Sequence, residues 1–191
     1  MKMMSILLCA FSILLAGCSK NTQPKQADQA PPPAAAAGAA GKVAELLSVT
    51  PRPPKAADFS WKDSSGATVT FDKFRGKVTL INFWATWCGP CKKELPDLVS
   101  LSQELAPQGV KFIGVSVDRA PNVADMVRSF CSEHGITYQV LLSNDDMEAA
   151  FGNPRAIPTT VLVDADGNIA KTIVGLQTKE QYAQAIAALL K

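Results

Sequence analysis

A single histidine, five cysteines and a nearly balanced charge set the first limits on this 191-residue chain. Nineteen Lys and Arg stand against seventeen Asp and Glu, a net +2 with the cations scattered, so nothing points to nucleic acid or an acidic surface as partner. The apolar stretch Ile6 to Ala16 is too short to span a bilayer, which needs about 20 such residues. Cys9 and Cys18 fall in this leader region, leaving Cys88, Cys91 and Cys131 for a domain. An odd number cannot all pair internally, which speaks against a small disulfide scaffold. A zinc site around Cys88 and Cys91 would need a second pair of ligands, and only Cys131 and His134 remain.

What is present divides the chain into three. Lys2 gives a positive start and Ile6 to Ala16 an apolar middle, the pattern of an export signal over residues 1–17. Leu15-Ala16-Gly17-Cys18 resembles the lipobox of bacterial lipoproteins, which implies acylation of Cys18 and a membrane held through lipid; an ordinary signal with an incidental Cys18 is the alternative. Ser19 after it resembles an outer-membrane sorting pattern, a rule that transfers poorly between bacteria. Residues 18–57, rich in Gln, Pro and Ala, offer little apolar surface and are expected to be a flexible tether. Val43 to Leu47 is long enough for a helical turn that Pro51, Pro53 and Pro54 would end. Residues 58–191 carry the domain.

Within it, Phe59–Lys62 and Ala67–Thr70 flank Asp63-Ser64-Ser65-Gly66 and read as a hairpin. Phe71–Arg75 reads as one helical turn, and Lys77–Ala85 as a strand covered on both faces. Helix is expected over Cys88–Leu105 with a kink at Pro96, Asn122–His134 before Gly135, Asp145–Phe151 and Thr178–Leu190. Strands are expected over Val110–Val117, Thr137–Leu142, Thr159–Val163 and Ile169–Val174. That order describes an α/β fold, a central mixed sheet with helices on both faces and an N-terminal hairpin.

Chemistry concentrates at Trp87-Cys88-Gly89-Pro90-Cys91, where the buried strand meets a helix. Pro90 suits a first helical turn because it needs no N–H partner there. The free N–H groups and positive dipole end of the helix favour a thiolate at Cys88, and a second thiol in reach allows disulfide exchange. A permanent structural disulfide is the bland alternative. Lys92 and Lys93 read as a solvated face, Cys131 as a buried apolar side chain and His134 as a favourable helix-end charge.

The run from Arg75 to Pro96, RGKVTLINFWATWCGPCKKELP, resembles the membrane-anchored TlpA/ResA branch of the thioredoxin superfamily, and Ala156-Ile157-Pro158-Thr159-Thr160 with Asp164 and Gly167 strengthens the likeness. The resemblance spans roughly Ala57 to Lys191 and implies a thioredoxin-like fold, with Asn122–His134 and the next strand as this branch's insertion. It implies an exposed nucleophile at Cys88, a resolving thiol one turn deeper at Cys91, and no cofactor beyond the Cys88–Cys91 disulfide. Glu94, three residues on, is implied as the acid that handles the Cys91 proton; helix-end charge or plain solvation are its alternatives. Asn82 stands where thioredoxin itself has a buried aspartate, so proton handling falls to Glu94 or water. Ile157-Pro158 resembles the cis-proline loop that pairs with a substrate segment, and Trp87 is expected to shield Cys88 and share in docking.

The activity implied is thiol–disulfide exchange with disulfide-bearing or dithiol proteins in an extracytoplasmic space, periplasmic in a Gram-negative cell. The family implies a transmembrane electron donor of the DsbD or CcdA type, and apocytochromes c are among the plausible substrates. Two other readings stand beside it: a thiol peroxidase, for which only Thr86 survives of the usual pattern before the cysteine, and a binding module for a cysteine- or copper-bearing partner.

Overall fold

All seven residues of Val78–Trp84 are buried, and the rest of the domain is arranged around them. The structure, a computed structural model, describes residues 42–52 and 55–190. Its strands are β1 (Val43–Arg52), β2 (Lys55–Lys62), β3 (Thr68–Thr70), β4 (Val78–Trp84), β5 (Val110–Ser116), β6 (Gln139–Leu142), β7 (Thr159–Asp164) and β8 (Ile169–Val174). Its helices are α1 (Phe71–Phe74), α2 (Gly89–Leu105), α3 (Val123–Glu133), α4 (Asp145–Ala150) and α5 (Lys179–Ala187), with a 3₁₀ turn at Ala106–Gln108.

One mixed sheet runs in the order β3-β2-β1-β6-β5-β4-β7-β8. The pairs β1–β6, β6–β5 and β5–β4 are parallel; the others are antiparallel. Strand alternation divides β4 between two cores. Val78 and Leu80 pack with Leu98 and Leu101 of α2 and with Tyr182 and Ile186 of α5. Trp84, on the same face, packs with Leu95 of α2 and with Val127 and Cys131 of α3. Ile81 and Phe83 face the other way, toward Phe59 and Trp61 of β2, Phe71 of α1 and Met147 of α4. Helices therefore cover both faces, as the sequence implies.

The elements from β3 onward fall close to the expected spans, and β2 begins at Lys55, four residues before the expected Phe59 and inside the expected tether. Val43–Arg52 likewise forms neither the expected tether nor a helical turn but a ten-residue strand. Val43, Ala44 and Glu45 pair with Val140, Leu141 and Leu142 of β6, and Leu46 lies opposite Trp61 of β2. The cause is tertiary. Ala44, Leu46 and Val49 pack against the core beside β2, so partners distant in sequence override a local composition that favours no element. Arg52 pairs with Lys55 at the end of the β1–β2 ladder. Residues 1–41, on which the expected export signal, Cys18 and most of the expected tether fall, lie outside the described residues.

Candidate active site

The turn after β4 places Cys88 at the N-cap of α2, in extended conformation, with Pro90 in the first helical turn. Cys88 and Cys91 form a disulfide with Cα atoms 5.3 Å apart. The Cys91 N–H, one of the helix's unpaired donors, points at Cys88 Sγ at 3.2 Å. On reduction the same donor and the helix dipole would face a thiolate, which is the physical reason the N-terminal thiol of such a pair ionises readily.

Opposite lies the loop before β7. The Ile157–Pro158 peptide bond is cis. The Ile157 carbonyl oxygen is 3.8 Å from Cys88 Sγ, and Gly175 N–H donates to the Pro158 carbonyl at 2.8 Å. This brings the Val174–Leu176 segment alongside the cis-proline loop. Val174 and Leu176 are exposed, as is Trp87 at 68 %. The expected exposure of Cys88 is not found in this oxidised form. Cys88 is 4 % exposed and Cys91 1 %, because the Cys88 sulfur is turned toward Cys91 and the Ile157 carbonyl.

Glu94, one turn beyond Cys91 on α2, is 1 % exposed, so plain solvation is excluded. Asn82 Nδ2 donates to Glu94 Oε1 at 2.9 Å, and the Tyr182 hydroxyl donates to Oε2 at 3.0 Å. The Gln177 N–H adds a longer contact to Oε2 at 3.4 Å. Burial pushes the Glu94 carboxyl above the usual carboxylate range, against the pull of these three donors. A buried, hydrogen-bonded carboxyl near a thiol pair can accept and return a proton. Asn82 reaches it because the β4–β7 register sets Asn82 opposite Thr160 on the face toward α2 and α5.

A second carboxylate, Asp118, holds the turn from the other side. It accepts from the Thr86 N–H (3.0 Å), the Thr86 hydroxyl (2.8 Å) and the Ser116 hydroxyl (2.8 Å). Thr86 lies two residues before Cys88, so this clamp fixes the chain's entry to the disulfide.

Against this geometry, the Redoxin family matches residues 53–188. Thioredoxin-like protein YneN of Bacillus subtilis (strain 168) is 34% identical over 130 residues, 68% of this chain and 75% of that protein. Thiol-disulfide oxidoreductase ResA of Geobacillus thermodenitrificans (strain NG80-2) is 32% identical over 134 residues, 70% of this chain and 75% of that protein. The chain is a member of the TlpA/ResA-like thioredoxin family, a thiol-disulfide oxidoreductase. Among solved structures, a thioredoxin-family thiol:disulfide interchange protein from Chlorobium tepidum TLS superposes with a TM-score of 0.62 at 32% identity, covering 73% of this chain and 98% of that one. StoA from Bacillus subtilis gives a TM-score of 0.58 at 29% identity, covering 69% and 98%.

In this ResA-like frame the remaining sequence candidates find their places. Lys92 and Lys93 are exposed, and Pro96 lies inside α2. Cys131 is a free, fully buried thiol that burial pushes up to about 12. His134 caps α3, stacked on Phe130 at 3.9 Å. Among the described residues no group of three His, Cys, Asp or Glu side chains is arranged to hold a metal ion, and no helix is long and apolar enough to cross a membrane. Sequence reasoning missed Asp118, Thr160, Gln177 and Tyr182, whose contacts to Thr86, Asn82 and Glu94 span 32 to 88 residues. The one available signal was Asp118, an acid directly after the largely apolar run Phe112–Val117.

Proposed function

We propose that this ResA-like protein is a lipid-tethered, extracytoplasmic reductant of protein disulfides. The observation that carries the reading is the Cys88–Cys91 disulfide at the mouth of α2, beside the cis Ile157–Pro158 bond, with the buried Glu94 one helical turn further on. In the reduced protein the Cys88 thiolate attacks a partner's disulfide, forming a mixed disulfide and releasing one partner thiolate. Cys91 passes its proton to Glu94, attacks Cys88 Sγ and releases the second partner thiolate. Two electrons have moved to the partner, and the product is the oxidised pair described above. The Glu94 proton returns when a donor dithiol reduces that pair.

Trp87, Ile157 and Pro158 form the docking surface, with the Ile157 carbonyl offered to an extended partner segment. Val174 and Leu176 enlarge its apolar rim. The leader and Cys18 support export and acylation, and a DsbD- or CcdA-type carrier would supply electrons across the membrane. Apocytochromes c, whose haem-binding cysteines must be reduced, suit such a reductant. The Gly89-Pro90 dipeptide favours a potential near thioredoxin's, about −270 mV, over the oxidant DsbA's, about −120 mV. The peroxidase alternative loses support because the Thr86 hydroxyl is committed to Asp118.

Replacing Cys91→Ala in cells should strand partners on Cys88 as mixed disulfides whose identity names the substrate. A midpoint potential above about −150 mV would exclude the reducing direction.

A further inference from the structure

A carboxyl buried as deeply as Glu94 needs compensation if it is to ionise near neutral pH. All but one of the donors around it belong to a closed loop. Asn82 gives one amide proton to Glu94 Oε1 (2.9 Å) and the other to Thr160 Oγ1 (2.9 Å). Thr160 Oγ1 and the Tyr182 oxygen are 3.0 Å apart, and the Tyr182 hydroxyl donates to Glu94 Oε2 at 3.0 Å. The four residues come from β4, β7, α5 and α2, and each is at most 1 % exposed.

Counting protons shows what the loop favours. With Glu94 ionised there are four bonds and four protons: two from the Asn82 amide and one from each hydroxyl. One sense uses all of them, from Asn82 to Oε1, Asn82 to Thr160, Thr160 to Tyr182 and Tyr182 to Oε2. Protonating Glu94 makes five protons for four bonds. A proton on Oε2 turns Tyr182 back toward Thr160 and drives the Thr160 hydroxyl proton out of the loop. A proton on Oε1 opposes the Asn82 amide, unless that amide turns over. Its two N–H groups would then sit where Asn82 Oδ1 now has no partner. Either way a buried donor goes unpaired.

We propose that Tyr182 is a positioning residue for the exchange reaction, closing a hydrogen-bond loop with Thr160 and Asn82 that is saturated only while Glu94 is ionised. Tyr182 thereby offsets the desolvation of Glu94 and keeps it able to take the Cys91 proton; only this last step rests on the function proposed above. The other charged groups nearby do not supply the offset. Asp97, on the next turn of α2, opposes ionisation of Glu94, and its carboxylate takes the Lys179 N–H at 3.1 Å. Lys179 Nζ is engaged by Ser100 and Glu104. Lys92 and Lys93 lie on the exposed face of α2, and Tyr138, beside β6, is held neutral by burial. Among the described residues no cation pairs with Glu94.

The test is a carbon-13 NMR titration of the Glu94 carboxyl in the oxidised full-length protein, comparing wild type with Tyr182→Phe. The phenylalanine variant should raise the midpoint by about one pH unit, a tenfold gain in proton affinity. Thr160→Val, which disturbs the loop from the sheet rather than from α5, should raise it by less. An unmoved Glu94 titration in both folded variants overturns the proposal. The acid limb of the pH–rate profile for disulfide reduction should move with the titration. If the titration moves and the rate profile does not, the loop stands and the Cys91 proton step in the proposed function falls.

Discussion

Three cysteines in one domain occupy two chemical worlds, and single residues decide which. Cys88 has the Cys91 N–H aimed at its sulfur, whereas Cys131 is enclosed among Val127, Ile136 and Val140 with nothing to stabilise a thiolate. Burial holds the Cys131 thiol near 12, so at pH 8 it stays protonated. After reduction of the native protein, alkylation followed by peptide mass mapping should find Cys88 modified first and Cys131 untouched until denaturant is added. Rapid native labelling of Cys131 would mean that α3 opens readily. Glu94 shows the residue scale from the opposite side. Its spacing from Cys91 was legible in the sequence, but its burial and the Tyr182 hydroxyl were not, because α5 meets α2 only in the folded chain.

At the scale of elements, local pattern carried most of the reading. The apolar run of β4, the Cys-Gly-Pro-Cys entry to α2 and the turn residues around Thr178 each dictate their own structure; Thr178 and Gln181 form a reciprocal capping box at α5. What stayed hidden was β1, whose mix of Ala44, Glu45, Leu46, Ser48 and Pro51 favours no element until β6 and β2 are in place. Two glycines make the same contrast testable. A Cβ on Gly76 would lie 2.1 Å from the Gly109 carbonyl oxygen, part of the backbone that leads into β5. A Cβ on Gly89, inside the redox motif, meets nothing within 4 Å. Gly76→Ala should therefore destabilise the domain by about 1–3 kcal/mol in denaturant unfolding. Gly89→Ala should leave stability unchanged or slightly raised, since alanine favours a first helical turn over glycine. Equal losses in both would show that the crowding at Gly76 relaxes freely.

For the whole molecule, the buried carboxyl predicts a pH dependence with a definite sign. Glu94 is raised in the folded state above its ordinary value of 4.5, so the native protein holds that proton more tightly than the unfolded chain does. Its contribution is intact below about pH 4.5 and is lost as pH rises through the folded value. Asp63, Glu104, Asp164 and Glu180 are lowered and act in the opposite sense, but they cancel when wild type is compared with Glu94→Gln. The unfolding free energy of wild type minus that of the glutamine variant should fall with rising pH across this window and then level off. A difference that rises instead would mean that the folded carboxyl is stabilised as the anion.

The ladder that ties β1 to β6 is short, three residue pairs against seven between β4 and β5, and Val43 meets Val140, 97 positions further along the chain. Strands β2 and β3 join the ladder order through that seam, with one further bridge from Lys55 to Asn168 beside the β7–β8 turn. The seam sets a sequence of assembly. The thiol-bearing half can close from contacts formed later in the chain, while the leading strands dock last and come away first. Native-state hydrogen exchange should release the amides of β1 to β3 at lower free energy than those of β4, so the enzyme would loosen from its leading edge without letting go of its disulfide.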